Sequence, residues 1–464
     1  MISNSEKDFS FLKRKNRLSG TANELSPEIA STLGAILGSY LGGEEAVVVS
    51  ARDYRTDTRM ISRAFNAGLI SVGTTVFELH ACSLPVIQFS LRRFSAHAGV
   101  HFASAHRTLE KINARIFDQT GIEIPFDDIF SIKKIEKYPI VRARPERIAD
   151  IHSVQQANDL YRAAISSALS VDLLKERNYS VVVDCALGPI AEVFPNILAE
   201  LGCKVLTLNA YHPEGIPESL PHPESLSILS RTVVAAKADL GIAFDPAGSR
   251  ALFLDEHGKV VDAHVIVSAL LHDKMVGRDK GQVVLSNTLW VLESWMKENN
   301  ISVNYVGEYP GEISRAIQFH RAIFGANEQG YYIHPTISND SEPFVSTILL
   351  LSSFARDEKH RYMSTFLEEK DVLNKEITEE KSYSLVTEPK LFFKKIYESD
   401  SEHNIINTLN GLKIIHGERK WCHIFSTIIS YKIIIRVCAE TPEDRERILQ
   451  ETMELVETTD SELA

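Results

Sequence analysis

Short apolar runs rich in β-branched residues recur along most of this chain, and segments with helical apolar spacing lie between them. Residues 45–50 (EAVVVS) form the first run, with further strands at 76–79 and 99–102. Residues 26–40, 61–70 and 83–94 repeat apolar positions at helical spacing. Strands alternating with helices pair in parallel through right-handed crossovers, so this pattern restricts the fold to α/β layers. The pattern restarts near Ile151 with a helix over 157–174. Strands follow at 179–185 (YSVVVDC), 204–209, 240–245 (LGIAFD) and 251–255, with helices at 190–201 and 225–237. A third unit begins with a helix at 263–276, has strands at 282–285, 302–306 and 321–324, and closes with an apolar helix at 344–356.

Residues 368–381 are strongly charged and read as a linker or an exposed helix. The pattern then changes to strands at 411–415, 421–429 and 432–439. A charged helix at 442–457 ends it, with Thr441 as N-cap before Pro442. The fold class is therefore α/β, with three consecutive mixed α/β-sheet domains and a C-terminal α+β domain. The boundaries fall at 1–149, 150–255, 256–370 and 371–464. A length of 464 residues suits three or four domains.

Charge and cysteine content exclude several functions. With 62 acidic against 50 basic residues, the net charge is -12. A general nucleic-acid binder needs a basic face, so none is expected here. Cys82, Cys185, Cys203, Cys422 and Cys438 form no CxxC pair and no zinc pattern, and Cys82, Cys185 and Cys203 read as buried free thiols. His97 and His101 are four apart without an HExxH helix, and read as packing or surface residues. His80, His101 and His106 can meet in such a fold, but no cysteine pattern supports zinc. No apolar run is long enough to span a membrane, and residues 1–20 lack a signal-peptide core. A cytoplasmic location is expected.

The order of the segments resembles the alpha-D-phosphohexomutase superfamily, and most of all its archaeal phosphomannomutase and phosphoglucosamine mutase group. The matching framework comprises residues 18–30, 51–56 (ARDYRT), 237–245 (KADLGIAFD) and 410–413 (NGLK). The resemblance implies four domains around a central cleft. It also implies phosphoryl transfer between two hydroxyls of a hexose through a phosphoserine and a magnesium ion. A serine must carry the phosphoryl group, three aspartates must hold magnesium, and cations and dipoles must stabilise the transferring charge.

The loops that would do this chemistry depart from the family. Where the family reads T-A-S-H-N-P, this chain has Ala103, Ser104, Ala105, His106, Arg107 and Thr108. Ala105 takes the serine position, Ser104 stands one residue earlier, and His106 is kept. Ser104 is either a shifted nucleophile or an incidental hydroxyl. Where the family reads D-G-D-x-D-R, this chain has Asp245, Pro246, Ala247, Gly248, Ser249 and Arg250. One carboxylate and one hydroxyl make a poor magnesium site, and Asp245 is expected to pair with a neighbour such as Arg250. In the sugar loop Asn327 replaces the family glutamate, Glu328 and Gln329 follow, and Tyr331 adds bulk. In the phosphate loop, family R-P-S-G-T-E-P, the chain runs from Phe425 through Ser426 and Thr427 to Tyr431. Its Ile428 and Ile429 are strand formers, so 421–437 is expected to approach a continuous hairpin. Ser426 and Thr427 remain possible anion donors. The family arginine of G-I-R-G has become Ser19, while Arg52 and Arg55 remain and also suit a structural role.

Two functions follow from these residues. The first is a non-catalytic homologue acting as a binding, regulatory or assembly partner in sugar-phosphate metabolism. It would sit beside an active paralogue or self-associate, take a sugar phosphate as ligand, and need no cofactor. The second is a hexose- or hexosamine-phosphate mutase with a rearranged site that uses Ser104 and magnesium. Under the second, the candidate residues are Ser104 and His106 for catalysis, and Asp245 for metal. For substrate they are Arg250, Asn327, Glu328, Gln329, Ser426 and Thr427.

Overall fold

The computed structural model describes residues 8–105, 108–168, 172–210, 223–275, 281–370, 377–399, 404–408, 411–417, 420–426 and 432–463. Four sheets follow one another along the chain. The first contains β1 (Lys13–Arg14), β2 (Arg17–Thr21), β3 (Val47–Arg52), β4 (Thr75–Ala81), β5 (Ala98–Ala105), β6 (Thr108–Asp118) and β7 (Ile151–Ser153). Their order is β1-β2-β6-β5-β3-β4-β7. The second contains β8 (Ser180–Asp184), β9 (Lys204–Leu208), β10 (Leu240–Phe244), β11 (Ala251–Leu254) and β12 (Val260–Val261), in the order β12-β11-β10-β8-β9. The third contains β13 (Gln282–Ser286), β14 (Ser302–Val306), β15 (Phe324–Ala326) and β16 (Tyr332–Ile333), in the order β14-β13-β15-β16. The fourth is antiparallel throughout, with β17 (Ile377–Ser384), β18 (Asn404–Thr408), β19 (Gly411–Gly417), β20 (Lys420–Ser426) and β21 (Lys432–Ala439) in the order β17-β21-β20-β19-β18.

The first three sheets share one unit. A central strand (β3, β8 or β13) pairs in parallel with the next strand on one side and the one after on the other. A fourth strand (β6, β11 or β16) then turns back antiparallel. The central strands are buried because helices cover both faces, which is why they read as continuous apolar runs. One apolar core includes Val49, Val183, Leu285 and Trp421 and so links all four sheets. A second lies under helices Pro27–Leu41 and Thr56–Ile70, and a third under Pro389–Ser399 and Pro442–Leu463.

Helix ends follow their caps. Ser26 accepts from Ile29 N–H at 3.4 Å ahead of Pro27, and Thr441 Oγ1 accepts from Asp444 N–H at 3.2 Å ahead of Pro442. The final helix runs on to Leu463, beyond the expected 457. The expected helix at 157–174 is two, Ala157–Ala168 and Asp172–Arg177, and the residues between them lie outside the described set. The expected strand at 321–324 begins instead at Phe324, because Arg321 takes a left-handed backbone (φ 51°) that ends helix Glu312–His320. The charged stretch at 368–381 is no single linker: Met363–Lys370 is helical, and Ile377 opens edge strand β17. All five cysteines are buried thiols, outside any disulfide. No helix among the described residues is long and apolar enough to cross a membrane.

Candidate functional site

All four candidate loops connect strands that pair antiparallel. β5 turns into β6, β10 into β11, β15 into β16, and β20 into β21. The first three turns leave the C-terminal ends of strands that flank a central strand, which is where open α/β sheets place ligands.

In the first hairpin the ladder runs to the tip, pairing Ser104 with Ile112 and Ala105 with Thr108, with a register slip between them. The family loop ends in proline, which lacks the N–H a ladder needs; Thr108 removes that block. Ser104 is half-buried, and its backbone N–H donates to Asp53 Oδ2 at 2.9 Å. Asp53 is 1% exposed and also accepts from Arg55 N–H (3.1 Å) and Thr58 Oγ1 (2.5 Å). Burial raises its pKa against these hydrogen bonds. Arg55, kept from the family segment, pairs with Asp57, its Nε donating at 2.9 Å. His106 lies outside the described residues. His101 is 1% exposed with Nε2 3.1 Å from Cys82 O, and burial lowers its pKa to about 4, so it is a packing residue.

In the second hairpin Asp245 is 8% exposed and organises its own turn. Its Oδ1 accepts the N–H groups of Ser249 (2.5 Å) and Arg250 (2.9 Å), and its Oδ2 accepts Ser249 Oγ (2.7 Å). The expected pairing with Arg250 is thus made through the backbone N–H, while Arg250 Nη1 donates to Gln329 Oε1 at 2.7 Å. Burial lowers the pKa of Arg250, and Asp245 and Glu308 oppose that shift. Gly248 takes a left-handed backbone (φ 67°) that L side chains rarely adopt. The turn also docks on the first sheet's unit: Leu84 N–H donates to Ala247 O at 2.8 Å.

Magnesium needs a set of hard oxygens. The loop offers one carboxylate whose two oxygens already accept three protein donors, with Ala247 and Ser249 at the other family aspartate positions. Among the described residues no three His, Cys, Asp or Glu side chains group closely enough to hold a metal. These residues do not fit a magnesium ion.

The third hairpin closes in the same way. Asn327 is 5% exposed, and its Oδ1 accepts from Gln329 N–H (2.9 Å) and Tyr331 N–H (3.2 Å). Glu328 pairs with Arg436 on β21, which also donates to Glu380 and, at 2.9 Å, to Thr288 O. Gly330 (φ 78°) lies against β11, where an added Cβ would sit 2.2 Å from Ala251 O. In the fourth hairpin β20 reaches Ser426, opposite Ile433 of β21. Thr427 and the rest of the turn to Tyr431, with Ile428 and Ile429, lie outside the described residues.

Sequence reasoning missed a buried ionic chain across the first and third sheets. Arg17 holds Glu123 through two bonds (2.6 and 2.8 Å), and Arg115 Nη2 reaches both Glu123 (3.0 Å) and Asp340 (2.8 Å). Burial works against the Glu123 carboxylate, but Arg115 and Arg17 hold its pKa down at about 2. Lys413, from the family-like NGLK segment, is 2% exposed. It lies between Trp290 and Trp421, at 4.5 and 4.7 Å from the ring centroids, and donates to Glu293 at 2.9 Å. A charged residue inside an apolar stretch was the available signal in both cases.

Three α/β units with one shared topology, a fourth antiparallel sheet, and a candidate loop at each hairpin tip define a four-domain phosphohexomutase fold. The family pattern for phosphoglucomutase/phosphomannomutase alpha/beta/alpha domain I matches residues 11–138, and that for domain II matches 159–258. A Thermococcus kodakarensis phosphoglucomutase/phosphomannomutase is 28% identical, covering 86% of this chain and 88% of that protein. The probable phosphoglucosamine mutase of Pyrococcus abyssi is 28% identical, covering 67% of this chain and 68% of that protein. A solved phosphoglucomutase/phosphomannomutase family protein from Burkholderia thailandensis superposes with a TM-score of 0.82 at 17% identity, over 99% of this chain and 98% of that one. Parafusin, a phosphoglucomutase from Paramecium, superposes at 0.73 and 13% identity, over 97% and 95%. The chain thus has the phosphohexomutase fold, matches the phosphoglucomutase/phosphomannomutase family over its first two domains, and is similar to archaeal phosphoglucosamine mutases.

Proposed function

We propose that this phosphohexomutase homologue lacks ordinary mutase activity and acts as a binding, regulatory or assembly partner in sugar-phosphate metabolism. The observation carrying this reading is where the loop polar groups spend their hydrogen bonds. Asp245 and Asn327 hold their own turns, Gln329 takes Arg250, and Glu328 takes Arg436. A mutase needs such groups aimed at substrate, with the charge stabilisation organised before reaction. Alanine at 105 also removes the hydroxyl at the family's phosphoserine position. Retained cores support selection for the folded molecule, since loss of all function would expose core positions to damage as readily as loop positions.

The test is a turnover assay on the full chain with magnesium, glucose 1,6-bisphosphate and a panel of hexose and hexosamine 1-phosphates. No turnover above a no-protein control is expected. Turnover that disappears in Ser104→Ala would establish the alternative, a mutase with a shifted nucleophile. The partner role is tested by pull-down from native extract, where recovery of a sugar-phosphate enzyme supports it and recovery of this chain alone counts against it.

A further inference from the structure

We propose that Lys413, His423 and Arg436 form a latch that holds the fourth domain closed on the third through this chain's own charges. The latch does not depend on whether the four loops catalyse.

The three residues make one row across the fourth sheet. Lys413 on β19 pairs with His423 on β20, and His423 pairs with Arg436 on β21. Residues directly opposite on neighbouring strands share a face. That face meets residues 288–293 of the third domain. Lys413 Nζ donates to Glu293 Oε2 at 2.9 Å and lies 4.5 Å from the centre of the Trp290 ring. The His423 ring lies 5.3 Å from the same ring, and Arg436 Nη1 donates to Thr288 O at 2.9 Å. Arg436 Nη2 donates to Glu328 at the tip of the third hairpin. The row is buried, at 2%, 2% and 9% exposure for Lys413, His423 and Arg436.

Little else attaches this domain. The first three domains are stitched by backbone hydrogen bonds, such as Leu84 N–H to Ala247 O (2.8 Å) and Ala251 N–H to Gly330 O (3.0 Å). Among the described residues, no backbone hydrogen bond joins the fourth domain to the others, and its helices and strands pack closely only on one another. Trp421 and Cys438 are its buried members of the shared apolar core. The position of the domain therefore rests on the row and on these two side chains.

The chemistry suits a joint that can open. Small polar interfaces between domains of one chain permit relative motion by default. A buried ion pair offsets little more than its own desolvation, yet altering one partner leaves the other charge buried and opposed. Such a joint stays shut only while both sides match. On separation Lys413, Arg436, Glu293 and Glu328 all regain water, whereas an apolar joint would expose apolar surface. Glu293 and Glu328 are already 35% and 30% exposed, so water reaches the acidic side first. Burial, and then Arg436 and Lys413, hold the pKa of His423 down at about 3, so the ring between the two cations is neutral and adds no repulsion.

The experiment compares the full wild-type chain with Glu293→Lys/Glu328→Lys. Both substitutions lie in the third domain and turn each acceptor into a repelling cation, leaving the fourth domain's own residues unchanged. Tryptophan fluorescence reads the joint, because Trp290 and Trp421 flank Lys413 and are 7% and 4% exposed. The variant should show red-shifted emission, stronger quenching by acrylamide and a larger radius of gyration in small-angle X-ray scattering. Hydrogen exchange in helix Pro442–Leu463 should match wild type, showing that the domain has moved and not unfolded. Equal quenching and equal scattering in the two proteins overturn the proposal. Lost protection in helix Pro442–Leu463 also overturns it, since the row would then hold the domain's fold and not its position.

Discussion

Replacing Arg115 with methionine tests the idea that buried ion pairs, rather than substrate, hold these domains together. Arg115 is 11% exposed, Glu123 3% and Asp340 1%, so water cannot readily replace the lost guanidinium. Glu123 keeps Arg17, but Asp340 loses the cation it pairs with. Breaking a buried pair from one side costs about 3–5 kcal/mol. At about 2–4 °C per kcal/mol for a unit of this size, the melting temperature should fall by at least about 6 °C. Asp340 already has its pKa raised to about 6, because burial outweighs the pull of Arg115. Without Arg115 that pKa should rise further, so the orphaned carboxyl protonates above about 6 and the deficit should be smaller at pH 5 than at pH 7.5. Adding Asp340→Asn should recover at least half of the loss, a coupling of about 2 kcal/mol or more. The assay is differential scanning calorimetry of both single variants and the double variant at pH 5 and pH 7.5. A fall under about 2 °C, or strictly additive effects, would refute the reasoning.

Glu342→Gln should stabilise the protein at alkaline pH. Burial raises the Glu342 pKa to about 8 from 4.5, while its hydrogen bond from Tyr161 and the nearby Arg92 oppose the shift. The native state thus binds more protons than the unfolded one between those values, and stability falls as pH rises. Thermal melts from pH 5 to 9 should show a flatter decline in the variant, and parallel curves would contradict this. Gly330→Ala should cost about 2 kcal/mol or more, since it meets both a left-handed backbone and the Ala251 carbonyl; an unchanged denaturation midpoint would rule that out. Asp245→Ala should destabilise by about 1–3 kcal/mol because three donors lose their acceptor. Magnesium should leave the wild-type melting temperature where it is, and a saturable rise lost in Asp245→Ala would show a site with ligands beyond this turn.

The strand–helix alternation was legible because central strands buried on both faces are apolar throughout, as with VVV at 47–49 and at 181–183. The two strands overlooked in the last sheet, β17 and β18, are its edges. An edge strand such as ITEEKSYS carries charged residues, which protect it from pairing with other chains but make it read as a linker. Loop substitutions such as Ala105 and Ala247 were visible residue by residue. The partners of the surviving polar groups were not. Glu328 meets Arg436, 108 positions away, and Arg115 meets Asp340, 225 away. No local period encodes such pairings; they arise where separate sheets pack together.

The central claim concerns whether this chain ever carries a phosphoryl group. Intact mass spectrometry after incubation with magnesium and glucose 1,6-bisphosphate measures that directly, in wild type and in Ser104→Ala. The account predicts an unchanged mass for both. A wild-type mass increased by one phosphoryl group, absent from Ser104→Ala, would contradict it.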